Sequence, residues 1–400
     1  MKKSMDDWFF MRPGFDTFQL EPDRHKQFLF GHRERRQRDL LMNDVENAVY
    51  AMDGHKAVVF GDYGRGKTHM CHNLAYELEK RGDDVFPIYV KCSSYGSKEP
   101  FHSFFRELVA GLKVDRINRV ADEYVRRANK GEVPKIDEIV QSDDIALVMT
   151  RGLTAAETDV VRASMRWLGG EPKVDMGLVS KGLRPQLSDS REFGAVLKGL
   201  AHMLRNVEGK VPVYLIDEAE RLQNVNNVDT FAAWNAALRE LTELSKVGLI
   251  FFVGALTRND LPTVLLLDEI KRRIGIVNYV EFVNPSRDEI RDFLVEMFAT
   301  NIRKGPVPVE HAAAVGECGA DQSVPDELQQ LTRGDSEALE TYPFTPEAFT
   351  EFVEQVSTGE AASKPSEVLK RVQKVAQRAM RAEARMIDVR LVETLAAEGM

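Results

Sequence analysis

Cysteine is scarce in this sequence and scattered where it occurs. Cys71, Cys92 and Cys318 lie far apart and form no CxxC pair, which argues against a disulfide framework or a zinc ribbon and fits a reducing, cytoplasmic setting. There is no run of eighteen apolar residues, so neither a transmembrane helix nor a membrane partner is expected. The start, MKKSMDDWFFMRPG, has two lysines, but acids follow at once and no apolar stretch comes behind them, so it does not read as a signal peptide. Positive charge is also in short supply: 54 Lys and Arg stand against 63 Asp and Glu, a net charge of −9. Such a chain does not attract nucleic acid as a whole, although local basic patches on an acidic body remain compatible with it. No Ser-His-Asp or Cys-His arrangement suggests a protease or nuclease.

What is present is a chain of 400 residues, enough for two or three domains of ordinary size. Short apolar runs at 57–60 (AVVF), 85–90 (VFPIYV), 211–216 (VPVYLI), 248–253 (GLIFFV) and 278–282 read as strands separated by helices. Continuous apolar strands alternating with helices predict an α/β fold, a parallel sheet covered by helices on both faces. Pro87 lacks a backbone N–H and places its strand at the edge. Residues 1–50 read as an aromatic-rich arm and entry helix, 51–284 as the α/β core, and 285–400 as an all-helical lid with 301–343 rich in loops. Within the core, 113–190 shows charged helical stretches broken by Gly and Pro and no strand; it reads as a helical insertion, a candidate partner-recognition unit.

The sharpest motif follows the first strand. Gly61-Asp62-Tyr63-Gly64-Arg65-Gly66-Lys67-Thr68 satisfies G-x-x-x-x-G-K-[ST] and opens a helix. Glycines let the backbone aim its N–H groups at phosphate oxygens, and the helix adds the partial positive charge of its N-terminus. Lys67 is expected to reach the β- and γ-phosphates of ATP, and the Thr68 hydroxyl to ligate Mg²⁺. His69 closes the candidate nucleotide-binding set; His69, Cys71 and His72 crowd together, but their place on the helix makes a metal site the lesser reading.

The strand at 211–216 runs into Asp217-Glu218. An Asp at the carboxyl end of a parallel strand faces the crevice where ligands bind. Asp217 is therefore expected to hold Mg²⁺, and Glu218 to activate the attacking water. After the strand at 248–253 the first polar groups are Thr257 and Asn259, candidates for sensing the γ-phosphate.

In this order, the loop, the acidic strand end and the next strand resemble an AAA+ ATPase. The resemblance implies that DEIKRRIGIVNYVEF carries arginine fingers, here Arg272 and Arg273, that VNPSRDEIRDFL starts a helical lid, and that KPSEVLKRVQKVAQRA is the lid helix that normally bears a sensor arginine. This chain has Ser366 at that place, with Lys364 or Lys370 as substitutes. Within AAA+ the sequence looks similar to the initiator-like group: origin-recognition ATPases, transposition regulators and ATP-binding proteins of anti-phage systems such as BREX, the last on RWLGGEP and VYLIDEAERL.

Three functions stay open. The first is a nucleic-acid-linked ATPase forming a ring or helical homo-oligomer, hexameric or heptameric, with a separate effector protein. It draws on the basic stretch 32–38 and on Arg371, Lys374, Arg378, Arg381 and Arg385 along one helix face. A solvated helix face is the plainer account of both stretches. The others are a protein-remodelling ATPase and an ATP-gated scaffold.

Overall fold

The apolar runs become one sheet because each supplies side chains for both of its faces. The computed structural model describes residues 4–51, 53–82, 84–93, 100–187, 189–223, 228–316, 323–358 and 363–397; Cys318 lies outside them. Strands β1 (Lys56–Gly61), β2 (Val85–Lys91), β3 (Val211–Asp217), β4 (Gly248–Gly254) and β5 (Tyr279–Glu281) form a parallel sheet in the order β2-β3-β4-β1-β5. β1 and β3 are buried along their whole length, and β4 at every position but its last. β2 lies at the edge, where the missing N–H of Pro87 breaks no ladder. Gly61 pairs with Gly254 and Lys91 with Asp217, so β1, β2, β3 and β4 end along one edge of the sheet.

The chain divides into two compact units. The sheet unit comprises Leu40–Asp62 and Leu74–Phe282; the helical unit comprises Met1–Asp39, Tyr63–Asn73 and Val283–Met400. In the sheet unit, the 113–190 helices share the main core. Val114–Asn129 buries Ile117, Val120, Ala121 and Tyr124 against the helix Ser190–Glu208, and Thr158–Leu168 adds Val160, Val161, Met165, Trp167 and Leu168 to the same core. The Trp167 indole N–H donates to the Arg184 carbonyl and ties down the loop that follows. Ser190–Glu208 begins with a capping box between Asp189 and Glu192 and stops at Gly209, whose φ is +74°.

Two stretches of the helical unit carry structure that their sequence did not specify. The 1–50 segment is divided, and its first part is not a free-standing arm. Phe9, Phe10, Phe15, Phe18, Phe28 and Phe30 are buried in one core with the lid helices. Phe18 packs 5.7 Å from both Phe9 and Phe298, centroid to centroid. The buried Arg12 guanidinium donates to the Gly305 carbonyl at 2.6 Å, and its backbone N–H to Asn301 at 2.7 Å. Secondly, 301–343 holds the helices Val309–Gly316, Asp326–Thr332 and Ser336–Thr341. The last two bury only two residues each, too few for an apolar period to show in sequence. Among the described residues no helix is long and apolar enough to cross a membrane.

Glu296 joins the arm to the lid. It accepts the Gly31 N–H at 3.0 Å and the His311 Nε2 at 2.7 Å, and pairs with Arg35. Burial opposes its charge, but His311, Gly31 and Arg35 together hold the carboxyl below its ordinary value. The arm also grips the helix Lys67–Arg81: Asn73 donates to the Lys26 carbonyl at 2.7 Å, and the His69 Nε2–H to the Phe28 carbonyl at 2.5 Å.

Burial pushes the His69 imidazole down to about 4, against the hydrogen bond it donates to the Phe28 carbonyl. An unfolded His takes up its proton near pH 6.5, roughly. Between these values the unfolded chain binds more protons, so stability is full above the upper value and falls as pH drops through the window. His69→Asn, which keeps a donor for Phe28, is expected to remove an acid-side loss of up to about 3 kcal/mol. Urea unfolding at pH 7 and at pH 4.5 measures this; equal pH dependence in variant and parent would contradict it.

Candidate functional site

The loop between β1 and the next helix takes its shape from two glycines in the left-handed region, Gly64 at φ +82° and Gly66 at φ +88°. A Cβ on Gly66 would meet nothing within 4 Å, so the space over it is open to a ligand. The Gly66 carbonyl accepts the Met70 N–H at 2.8 Å and starts the helix Lys67–Arg81. That leaves first-turn N–H groups and the N-terminal partial charge at the mouth of the loop, the arrangement that binds phosphate. Lys67 is 8% exposed, with its ammonium 5.8 Å from the Tyr63 ring centroid. Arg65 is buried, Asp62 half-buried, and Tyr63 and Thr68 are exposed.

Ser366 lies against this loop. Its backbone N–H donates to the Gly64 carbonyl at 3.1 Å, and a Cβ on Gly64 would stand 2.3 Å from its hydroxyl. The helix Pro365–Arg381 begins here, so the phosphate loop itself caps it. Lys364 is the N-cap residue; its Cβ would lie 3.7 Å from that of a substituted Gly64. Where the resemblance implies an arginine, the chain makes a small-on-small contact.

In the sheet unit, Asp217 ends β3 and is 3% exposed. Its carboxylate accepts the Tyr89 hydroxyl at 3.2 Å and the Glu218 N–H at 2.9 Å. Glu218 has φ +54°, a conformation that costs a non-glycine residue about 1 kcal/mol or more. Its carboxylate pairs with Lys91 at 2.8 Å and with Arg221. Glu220 accepts the Gly254 N–H at 2.7 Å and fixes the end of β4 to the turn after β3. Tyr89 and Lys91 were missed by the sequence reading; their role depends on the β2–β3 register, which no local pattern reveals. Arg221, three residues beyond Glu218, was open to view.

Other expected residues separate. Thr257 caps the short turn Arg258–Asp260: its hydroxyl donates to Asp260 at 2.8 Å and accepts the Asn259 N–H at 3.3 Å. Asn259 is exposed, and at the strand end beside Gly61 stand Gly254 and Ala255, neither with a polar side chain. Arg273 is half-buried and pairs with Glu243 and, at 3.8 Å, Glu269. Arg272 is exposed and makes no ion pair among the described residues. Three arginines of the basic stretch 32–38 are used inside the fold, while Arg36 is exposed: Arg33 pairs with Glu34 and Glu289, Arg35 with Glu296, and Arg38 with Asp39. Nor do His69, Cys71 and His72 converge: His69 faces Phe28, Cys71 is buried, and His72 contacts Asp23 at 3.0 Å.

An AAA domain model matches residues 55–266, just over half of the chain. The chain belongs to the AAA domain family. Three solved structures are similar to it. The ORC1 protein of Aeropyrum pernix in complex with DNA is 15% identical, with a TM-score of 0.45 over 92% of this chain and 66% of that one. Drosophila ORC bound to DNA is 11% identical, with a TM-score of 0.42 over 92% and 61%. The Aeropyrum pernix ORC2 protein in ADPNP-ADP complexes is 9% identical, with a TM-score of 0.46 over 92% and 68%. The AAA chain spans less than two thirds of the length of the first two. No curated protein matches it.

Gly64→Ala should weaken binding of a fluorescent ATP analogue at least about tenfold, because both φ and the Ser366 contact resist a Cβ. Adding Ser366→Gly should restore part of the loss, since it removes the clash and leaves the strain. Undiminished binding by Gly64→Ala would refute the close seating of loop and helix.

Proposed function

We propose that this AAA chain is an ATP–Mg²⁺ hydrolase in which the phosphate loop and the acidic strand end serve one nucleotide. Residues 61–68 would cradle the phosphates, with Lys67 on the β- and γ-phosphates. Thr68 and Asp217 would hold magnesium, Asp217 through water, and the ion would neutralise charge on the phosphate oxygens. Glu218 would accept a proton from the attacking water. His69 drops out of the nucleotide set, since its imidazole is neutral and committed to Phe28. The observation that carries the reading is the open, glycine-shaped loop that follows β1, where a Cβ on Gly66 would meet nothing within 4 Å.

A homo-oligomer follows from the same chemistry. Arg272, exposed and without an ion pair among the described residues, is suited to reach a neighbouring subunit's γ-phosphate, whereas Arg273 is tied to Glu243 and Glu269. The assembly would act with nucleic acid and a separate effector, in anti-phage defence or in the DNA transactions of mobile elements; the sequence resemblance supports this setting. One observation favours a slow assembly switch over a fast motor: Glu218 stands between Lys91 and Arg221, which must yield before it can act as a base.

Arg272→Ala should lower turnover at least about a hundredfold while ATP still binds, given that a finger in trans is worth roughly 10³–10⁵ in GTPases. The parent's rate per subunit should climb with protein concentration, and the variant's should stay flat. Parent-like turnover in Arg272→Ala would overturn the assignment; Arg273→Ala should act on stability first.

A further inference from the structure

The helix Pro365–Arg381 has two contrasting sides. One buries Val368, Leu369, Val372, Val375, Ala376 and Ala379 in the helical unit. The other carries basic side chains on a chain of net charge −9. Glu367 pairs with Lys370 at 2.7 Å, and beyond it the helix has no further acid. Arg371, Lys374, Arg378 and Arg381 then follow at steps of three and four, which places them in one row. The row is about 15 Å long at the helical rise. Lys374 and Arg381 are exposed, and Arg371 and Arg378 half-buried. Arg385, expected to extend the row, is removed from it: its guanidinium lies 4.9 Å from the Trp8 ring centroid and 4.8 Å from that of Phe10, and pairs with Glu327.

We propose that this row is a contact surface for the phosphate backbone of duplex DNA. The inference rests on the nucleic-acid reading above and names the surface that would serve it. Charge complementarity selects a polyanion, and the rest of the row narrows the choice. No aromatic side chain stands in it, so it lacks the stacking platform on which single strands are held. It lacks the Trp, Phe and Leu with which an interfacial helix enters a membrane, and the apolar centre of a protein interface. A straight row of cations on a helix fixed by its buried side matches a stiff duplex, whose phosphates recur roughly every 3.4 Å of axis on each strand. Arginine forks and a lysine ammonium both bind phosphate oxygens, and such contacts carry no sequence information. The binding is therefore indifferent to sequence and steeply salt-dependent.

The test is fluorescence anisotropy of the full chain with a labelled DNA duplex across a salt series, repeated with single-stranded DNA, duplex RNA and phosphatidylserine vesicles. The parent should bind duplex DNA, with log affinity falling by about 0.9 per phosphate neutralised against log salt. Replacing Arg371, Lys374 and Arg381 together by Ala should weaken binding at least tenfold and flatten that slope by roughly 2.7. Replacing the two arginines by Lys should keep most of both, which separates charge from a folding defect. If the parent binds duplex DNA and the triple variant does so with the same slope, the surface is wrong while the nucleic-acid reading stands. If the parent binds no duplex DNA even at low salt, both fall. Tighter binding to single strands, duplex RNA or vesicles would also overturn the assignment.

Discussion

The first turn of any helix leaves N–H groups that cannot be satisfied within it, and the phosphate loop uses that constraint twice. At Lys67 the helix starts beside the open space over Gly66, where the proposed phosphate would meet those donors. At Ser366 the donor is given to the loop itself, through the Gly64 carbonyl. The two uses meet in one short stretch of backbone, so its conformation and the seat of the helix Pro365–Arg381 are set together. Gly64 permits this because its φ of +82° and its missing Cβ are both required.

The acidic pair obeys a different logic. Parallel pairing in the order β2-β3-β4-β1-β5 brings several strand ends to one edge, and β3 delivers Asp217 there with its carboxylate already oriented by Tyr89 and the Glu218 N–H. Glu218 is held less comfortably. Its backbone is left-handed and its carboxylate stands between Lys91 and Arg221. Strain in a residue outside glycine persists only where surrounding contacts impose it, and such positions concentrate at functional sites. On the proposed reading, Glu218 would have to leave both cations before it could act as a base.

The loop motif, the buried strands and the acidic strand end could all be read from sequence because each is local: a fixed spacing, a continuous apolar run, a run ending in two acids. What escaped notice depends on distant partners. The arginines at 33 and 35 look like a basic patch until Glu289 and Glu296 arrive from the lid. The aromatic residues of the first thirty look exposed until the lid helices cover them. Arg272 and Arg273 look alike until Glu243 takes one of them. Thr257 is a different case, since Asp260 three residues on already spells a capping box, and that local signal outranked its reading as a γ-phosphate sensor.

The most direct measurement is phosphate release from ATP by the purified chain, with magnesium and with a chelator, beside Glu218→Gln. The account predicts release that requires magnesium and that falls to background in Glu218→Gln while ATP binding persists. Turnover by Glu218→Gln equal to that of the parent, or none by the parent at any concentration, would contradict it.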